Sequence, residues 1–188
     1  MESRQEDGMD VIIVVTVAVG ILVAQWAVIS LVALGALRKL VLEKLRGMVG
    51  PMRRFLSEVG DMLEVARGYG VTAERVREVR GTLEKVGRWM VEIEGLGIER
   101  VDVRELEASW RKCLGEYHVL VQEVTSLPVV VDGWLARERE AEVCERRAEE
   151  AAWEYNSAAQ EYERRRSAGP TVLLAKILGY SALPMWGK

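Results

Sequence analysis

From Val11 to Leu37 the chain runs for 27 residues without a charged side chain. As a helix this run reaches about 40 Å, against the roughly 30 Å of a bilayer's hydrocarbon core. A buried helix of a soluble protein rarely stays uncharged for so long. A secretory signal would begin with basic residues and hold only about 7–15 apolar ones, whereas this chain opens MESRQEDGMD. Residues 11–37 are therefore expected to form an uncleaved transmembrane helix behind a short external tail, 1–10. Its polar members Thr16, Gln25 and Ser30 can be satisfied by backbone or by a neighbouring helix.

Flanking charge sets the expected orientation. Residues 1–10 carry Arg4 against Glu2, Glu6, Asp7 and Asp10. Beyond the run come Arg38, Lys39, Lys44, Arg46, Arg53 and Arg54 against Glu43 alone. Basic residues concentrate on the side that is not translocated, so the N-terminus is expected outside and the C-terminal part in the cytoplasm. These six cations can also meet anionic headgroups, although a topology signal alone accounts for them. The tail holds one of the 26 basic and four of the 29 acidic residues, which leaves 25 of each sign in 38–188. A neutral, mixed-sign surface suits a solvated helical bundle and argues against a nucleic-acid partner.

The remainder divides into a basic juxtamembrane helix, 38–50, a helical bundle, 51–167, and an apolar tail, 168–188. Four prolines and one phenylalanine among abundant Ala, Glu, Arg, Val and Leu favour helices over a sheet. Gly47, Gly50 and Pro51 are expected to interrupt the first helix, with Pro51 opening the next. Apolar residues then recur at steps of four and three through Phe55, Val59, Met62, Ala66, Tyr69, Ala73, Val76, Val79, Leu83, Val86, Met90 and Ile93. The spacing predicts one sustained, coiled-coil-like stripe with a bend near Gly68 to Gly70. Residues 94–102 read as a connector, and Asp102 with Glu105 as a capping box for the next helix. That helix should bury Leu106, Trp110, Cys113, Tyr117, Val121 and Val124. A second connector lies at Pro128 to Gly133, where Val129 to Val131 is too isolated to be a strand. The last long helix, 134–167, should turn Trp134, Ala141, Cys144, Ala148, Ala152, Tyr155, Ala159 and Tyr162 inward. Between Arg137 and Glu150 ten of fourteen residues are charged, with both signs, as on a solvated face. The tail carries Val172, Leu173, Leu174, Ile177, Leu178, Tyr180 and Trp186, too many apolar groups to leave in water. Packing on the bundle is the first expectation for it, and contact with membrane or partner the second.

The residues offer little for chemistry. With 2 cysteines and 1 histidine there is no basis for a disulfide framework, a zinc cluster or a two-histidine site. His118 reads as a surface residue near Glu116 and Glu123. Cys113 and Cys144 read as small hydrophobes on inward stripes, kept as thiols in a reducing cytoplasm. Gly68-Tyr69-Gly70 followed by Ala73 matches a loose dinucleotide pattern, but that pattern has meaning only between a strand and a helix. No cofactor, metal or catalytic residue is expected.

Tyr155-Asn156, then Tyr162-Glu163, Pro170 and an apolar run closing with Gly179-Tyr180 resemble the LemA family in order and spacing. A second stretch, VGDMLEVARGYG at 59–70, is similar to the family through Val59, Glu64, Arg67, Gly68 and Tyr69. Gly60, Asp61 and Glu163 depart from its proline, asparagine and second asparagine. On these motifs the chain is identified as a divergent member. The resemblance implies an all-α fold: an N-terminal transmembrane helix followed by an antiparallel bundle of long helices. It carries over no catalytic residue. Asn156 beside the Tyr155–Tyr162 face should hydrogen-bond across helices and fix their register; alternatively these three line a partner groove. The expected function is a membrane-anchored scaffold or adaptor with protein partners. Self-assembly on anionic lipid comes second, and an enzyme or small-ligand receptor last.

Overall fold

The computed structural model describes residues 3–95, 101–127 and 133–187, with side chains from residue 13 onward. Every described element is helical: α1 (Ser3–Gly68), α2 (Ala73–Gly95), α3 (Val103–Thr125), α4 (Trp134–Arg166) and α5 (Thr171–Ile177). The chain divides into two compact units. One holds residues 40–160 and 183–188; the other holds 1–39 and 161–182.

The first unit is a helical bundle, and its core begins earlier than the sequence pattern suggested. Val41, Leu45, Met48, Met52, Phe55, Val59, Met62 and Ala66 are all essentially inaccessible on α1. They repeat at four and three residues without a gap, straight through Pro51, which lies inside the helix. The expected break at Gly47, Gly50 and Pro51 is therefore absent. A proline ring within a helix crowds the carbonyl four residues back and the Cβ of the residue before it. Those positions are Gly47 and Gly50. Gly50 has no Cβ to clash, so the glycines accommodate the proline rather than ending the helix with it.

The expected stripe across Tyr69 and Ala73 is also corrected. Helix α1 stops at Gly68, Tyr69 is 39% exposed and Ala73 is exposed. Gly70 sits at φ +99°, and the Val71 amide donates to the Ala66 carbonyl at 3.3 Å. This is a left-handed glycine stop that satisfies a carbonyl left over at the helix end. Helix α2 then buries Val76, Val79, Leu83, Val86, Met90 and Ile93, as the spacing predicts.

Asp102 caps α3, its Oδ1 accepting from the amides of Arg104 and Glu105 at 3.1 Å each. The Glu105 carboxylate lies 3.5 Å from Lys85 of α2, so it serves an ion pair in place of the reciprocal half of a capping box. Leu106, Trp110, Cys113, Tyr117 and Val124 are buried, but Leu120 takes the place expected for Val121. A step of three from Tyr117 keeps the stripe straight on a helix of 3.6 residues per turn. All eight residues expected to face inward on α4 are buried, joined by Ala158. The possible strand at 129–131 lies outside the described residues.

Phe55, the chain's one phenylalanine, joins α1 to α3. Its ring meets Trp110 edge-on at 5.0 Å and Tyr117 at 5.1 Å. Around this cluster Arg53 pairs with Glu94 and Glu64 with Arg80, between α1 and α2. Lys44 pairs with Glu154, and Arg137 with Glu58 and Asp61, between α1 and α4. In each set the order along one helix is reversed along the other.

The second unit contains the long apolar part of α1. From Ile13 to Val32 nearly every large apolar side chain is exposed, for example Leu22 at 64% and Ile29 at 69%. One helix near the N-terminus is thus long and apolar enough to cross a membrane. Near its Arg38 end Leu34 is buried, and the Arg38 guanidinium stands 5.0 Å over the Tyr180 ring. Helix α5 ends in a second left-handed glycine, Gly179 at φ +68°. The Tyr180 amide donates to Ala175 O at 2.8 Å and that of Gly179 to Lys176 O at 3.2 Å. Both bonds belong to a Schellman stop.

Candidate functional site

Within the bundle unit, neighbouring α4 residues hold the last stretch of the chain. Asn156 donates from Nδ2 to the Trp186 carbonyl at 2.8 Å, and its Oδ1 accepts from the Trp186 amide at 2.7 Å. One side chain thus satisfies both backbone groups of a residue that has no helix or sheet to pair it. Tyr155 donates its hydroxyl to the Pro184 carbonyl at 2.7 Å. From α3, the largely buried Glu107 accepts from the Gly187 amide at 2.7 Å and pairs with Arg111 at 2.6 Å. Leu183 is buried as the apolar anchor of the stretch. Asn156 therefore does not bond across helices, as its place beside the seam suggested; it clamps the tail's backbone.

Tyr162, Glu163, Pro170, Gly179 and Tyr180 of the resemblance lie in the second unit. Tyr162, fully buried, donates to the Ser181 carbonyl at 3.1 Å. Glu163 binds Arg166 and accepts from the Ser167 hydroxyl at 3.0 Å. These contacts hold its carboxyl below the ordinary range. Pro170 precedes α5 at its N-cap position, and Gly179 and Tyr180 close it. Gly68 and Tyr69 form the α1 stop described above. These motifs bound helices and fasten an extended segment. Glu107 had no signal in the sequence, because nothing local shows that a glutamate on α3 meets the amide of Gly187.

Two predictions arise from the clamp. Asn156→Ala removes both bonds to Trp186 and is expected to destabilise the bundle by about 1–3 kcal/mol. Faster removal of residues 183–187 by carboxypeptidase should accompany it, and an unchanged digestion rate would refute the clamp. Burial pushes the Tyr155 hydroxyl up to about 12. An unfolded tyrosine ionises near 10. The contribution of the neutral hydroxyl is therefore complete below about pH 10 and lost as pH rises through the folded value. Thermal midpoints on either side of that range should fall for the native chain and fall less for Tyr155→Phe.

The surface of the bundle carries several concave features, of which two bear on partner binding. A groove of about 430 Å³ between α2 and α3 is lined by Arg77, Lys85 and Lys112, with Gly81 and Ala108 exposed along it. Glu78 of the lining is engaged by Arg75 and Lys85 by Glu105, which leaves the positive charges of Arg77 and Lys112. A second groove of about 260 Å³ opens beside Gly50, Pro51, Arg54, Cys144 and Arg147. Of the basic residues after the apolar run, Lys44 and Arg53 are committed to ion pairs within the bundle.

Cys113 and Cys144 are buried free thiols. Burial pushes the Cys113 thiol up to about 12 and the Cys144 thiol up as well, which makes both poor nucleophiles. His118 is exposed and faces Glu145 of α4 at 3.4 Å, rather than Glu116 or Glu123. Burial raises the Glu145 carboxyl. Gly68-Tyr69-Gly70 joins two helices, so it is not the strand-to-helix turn that a dinucleotide would need. Among the described residues no group of three or more His, Cys, Asp or Glu could hold a metal ion. No family model, curated protein or solved structure matches the chain.

Proposed function

We propose that the chain is a membrane-anchored, non-enzymatic protein of LemA type that acts as a scaffold or adaptor. Its N-terminus is external, and its bundle, antiparallel as the reversed order of the ion pairs favours, lies in the cytoplasm. The observation that carries this reading is the use made of Tyr155, Asn156 and Tyr162. Each spends its hydrogen bonds on this chain's own C-terminal backbone. They hold a framework together, and binding is left to the outer surface.

The α2–α3 groove is the surface best suited to a partner. Arg77 and Lys112 give it positive charge, and Gly81 and Ala108 let a segment approach closely. An acidic helix or extended acidic segment fits that chemistry, since opposite charge steers the encounter and close packing supplies affinity. A photo-crosslinker placed at Lys112 of the full chain in native membranes should give a discrete adduct. Filling the groove by Gly81→Leu with Ala108→Leu should abolish that adduct while leaving the thermal midpoint unchanged. Absence of any adduct, or an adduct indifferent to the filled groove, would overturn the reading.

A further inference from the structure

Helix α5 faces the wrong way for a helix in water. Its buried residues are small, Thr171 and Ala175. Val172 and Leu174 are half-buried, while Leu173 at 65% exposed, Ile177 at 79% and the following Leu178 at 46% point outward. Residues 171 and 175 lie on one face of a helix, and 173 and 177 on the opposite one. A short helix stabilised by solvent would turn these faces round, because large apolar side chains gain most from leaving water.

The same unit shows what would cover the outward face. Tyr180, directly after the α5 stop, is stacked under Arg38, the first charge beyond the apolar run. The Tyr180 hydroxyl lies 3.9 Å from where a Gly35 side chain would begin. Helix α5 is thereby fixed beside the end of the exposed apolar surface of α1, at the level where aromatic and basic side chains mark a membrane boundary. Lys39 and Lys176 are exposed there and can meet anionic headgroups. We propose that α5 is an interfacial helix. It lies in the headgroup layer at the Arg38 end of the span, with Leu173, Ile177 and Leu178 in the acyl boundary.

This rests on the reading of α1 as a membrane span, and the test separates the two. Single cysteines are introduced by Leu22→Cys, Leu173→Cys, Ala175→Cys, Lys176→Cys or Ile177→Cys into full chain carrying Cys113→Ala and Cys144→Ala. Each variant is spin-labelled and reconstituted in vesicles of phosphatidylcholine and phosphatidylglycerol. Collision with oxygen reports lipid, and collision with a water-soluble nickel chelate reports water. The proposal expects labels at 173 and 177 to favour oxygen severalfold over the label at 176. The label at 175 should meet neither reagent. Nickel access at 177 equal to that at 176, with the label at 22 in lipid, would overturn the interfacial helix and leave the span standing. A label at 177 that meets neither reagent would place α5 against protein and overturn it too. Nickel access at 22 would remove the span and α5's role together.

Discussion

Phe55→Ala is expected to destabilise the bundle by about 3–5 kcal/mol, the range for truncating a buried phenylalanine. Its ring is inaccessible and is edge-on to both Trp110 and Tyr117. The deletion therefore leaves a cavity where α1 meets α3 and removes two aromatic contacts of about 0.5–1.5 kcal/mol each, which that range already contains. Against a domain stability of about 5–15 kcal/mol this is a large fraction. Phe55→Leu keeps most of the volume and should lose clearly less. Denaturant unfolding of the full chain in detergent checks both variants. A loss below about 1 kcal/mol for the alanine variant would show that the cluster does not join the helices.

Leu22→Arg with Val23→Arg should largely abolish membrane association. Each charge near the centre of a span costs about 2.5–3.5 kcal/mol on insertion. The alternative has the opposite sign. Both residues are exposed, at 64% and 58%, so charges there would make an arm in water more soluble. Flotation of expressed protein with vesicles at neutral pH decides between them. Neutral pH matters, because alkaline extraction enters the range where Tyr155 begins to ionise and the clamp weakens. Unchanged flotation of the doubly charged variant would mean that α1 does not cross the bilayer.

Much of the helical pattern was legible because burial follows a period the sequence displays. The α4 stripe from Trp134 to Tyr162 is buried at all eight expected positions, and that of α2 at all six from Val76 to Ile93. The misreadings cluster at glycine and proline. Val41, Leu45, Met48 and Met52 carry the same period as Phe55 and Val59, yet the Gly47-Gly50-Pro51 group conceals the continuity. A proline preceded by glycine at these spacings costs a helix less than a proline among bulky residues. Conversely, the regular spacing runs on across Tyr69 and Ala73, although the left-handed Gly70 ends α1 where the spacing predicts only a bend near Gly68 to Gly70. The apolar run and charged flanks marked the candidate span, because length and charge are properties of the string itself. The residues of the clamp were visible only as motifs. Nothing in the order of residues says that Asn156 bonds the backbone of Trp186, or that Glu107 meets Gly187.

What the sequence by itself determined is therefore local: the uncharged run, the helical periods and the inward alanine face of α4. Each depends on which residues lie within a few turns of one another. What only the tertiary structure decided is where polar groups find partners across long separations, and which way α5 faces. Those outcomes depend on distances between segments far apart in the chain. A period of 3.6 residues specifies that a helix has an apolar face, but not what lies against it.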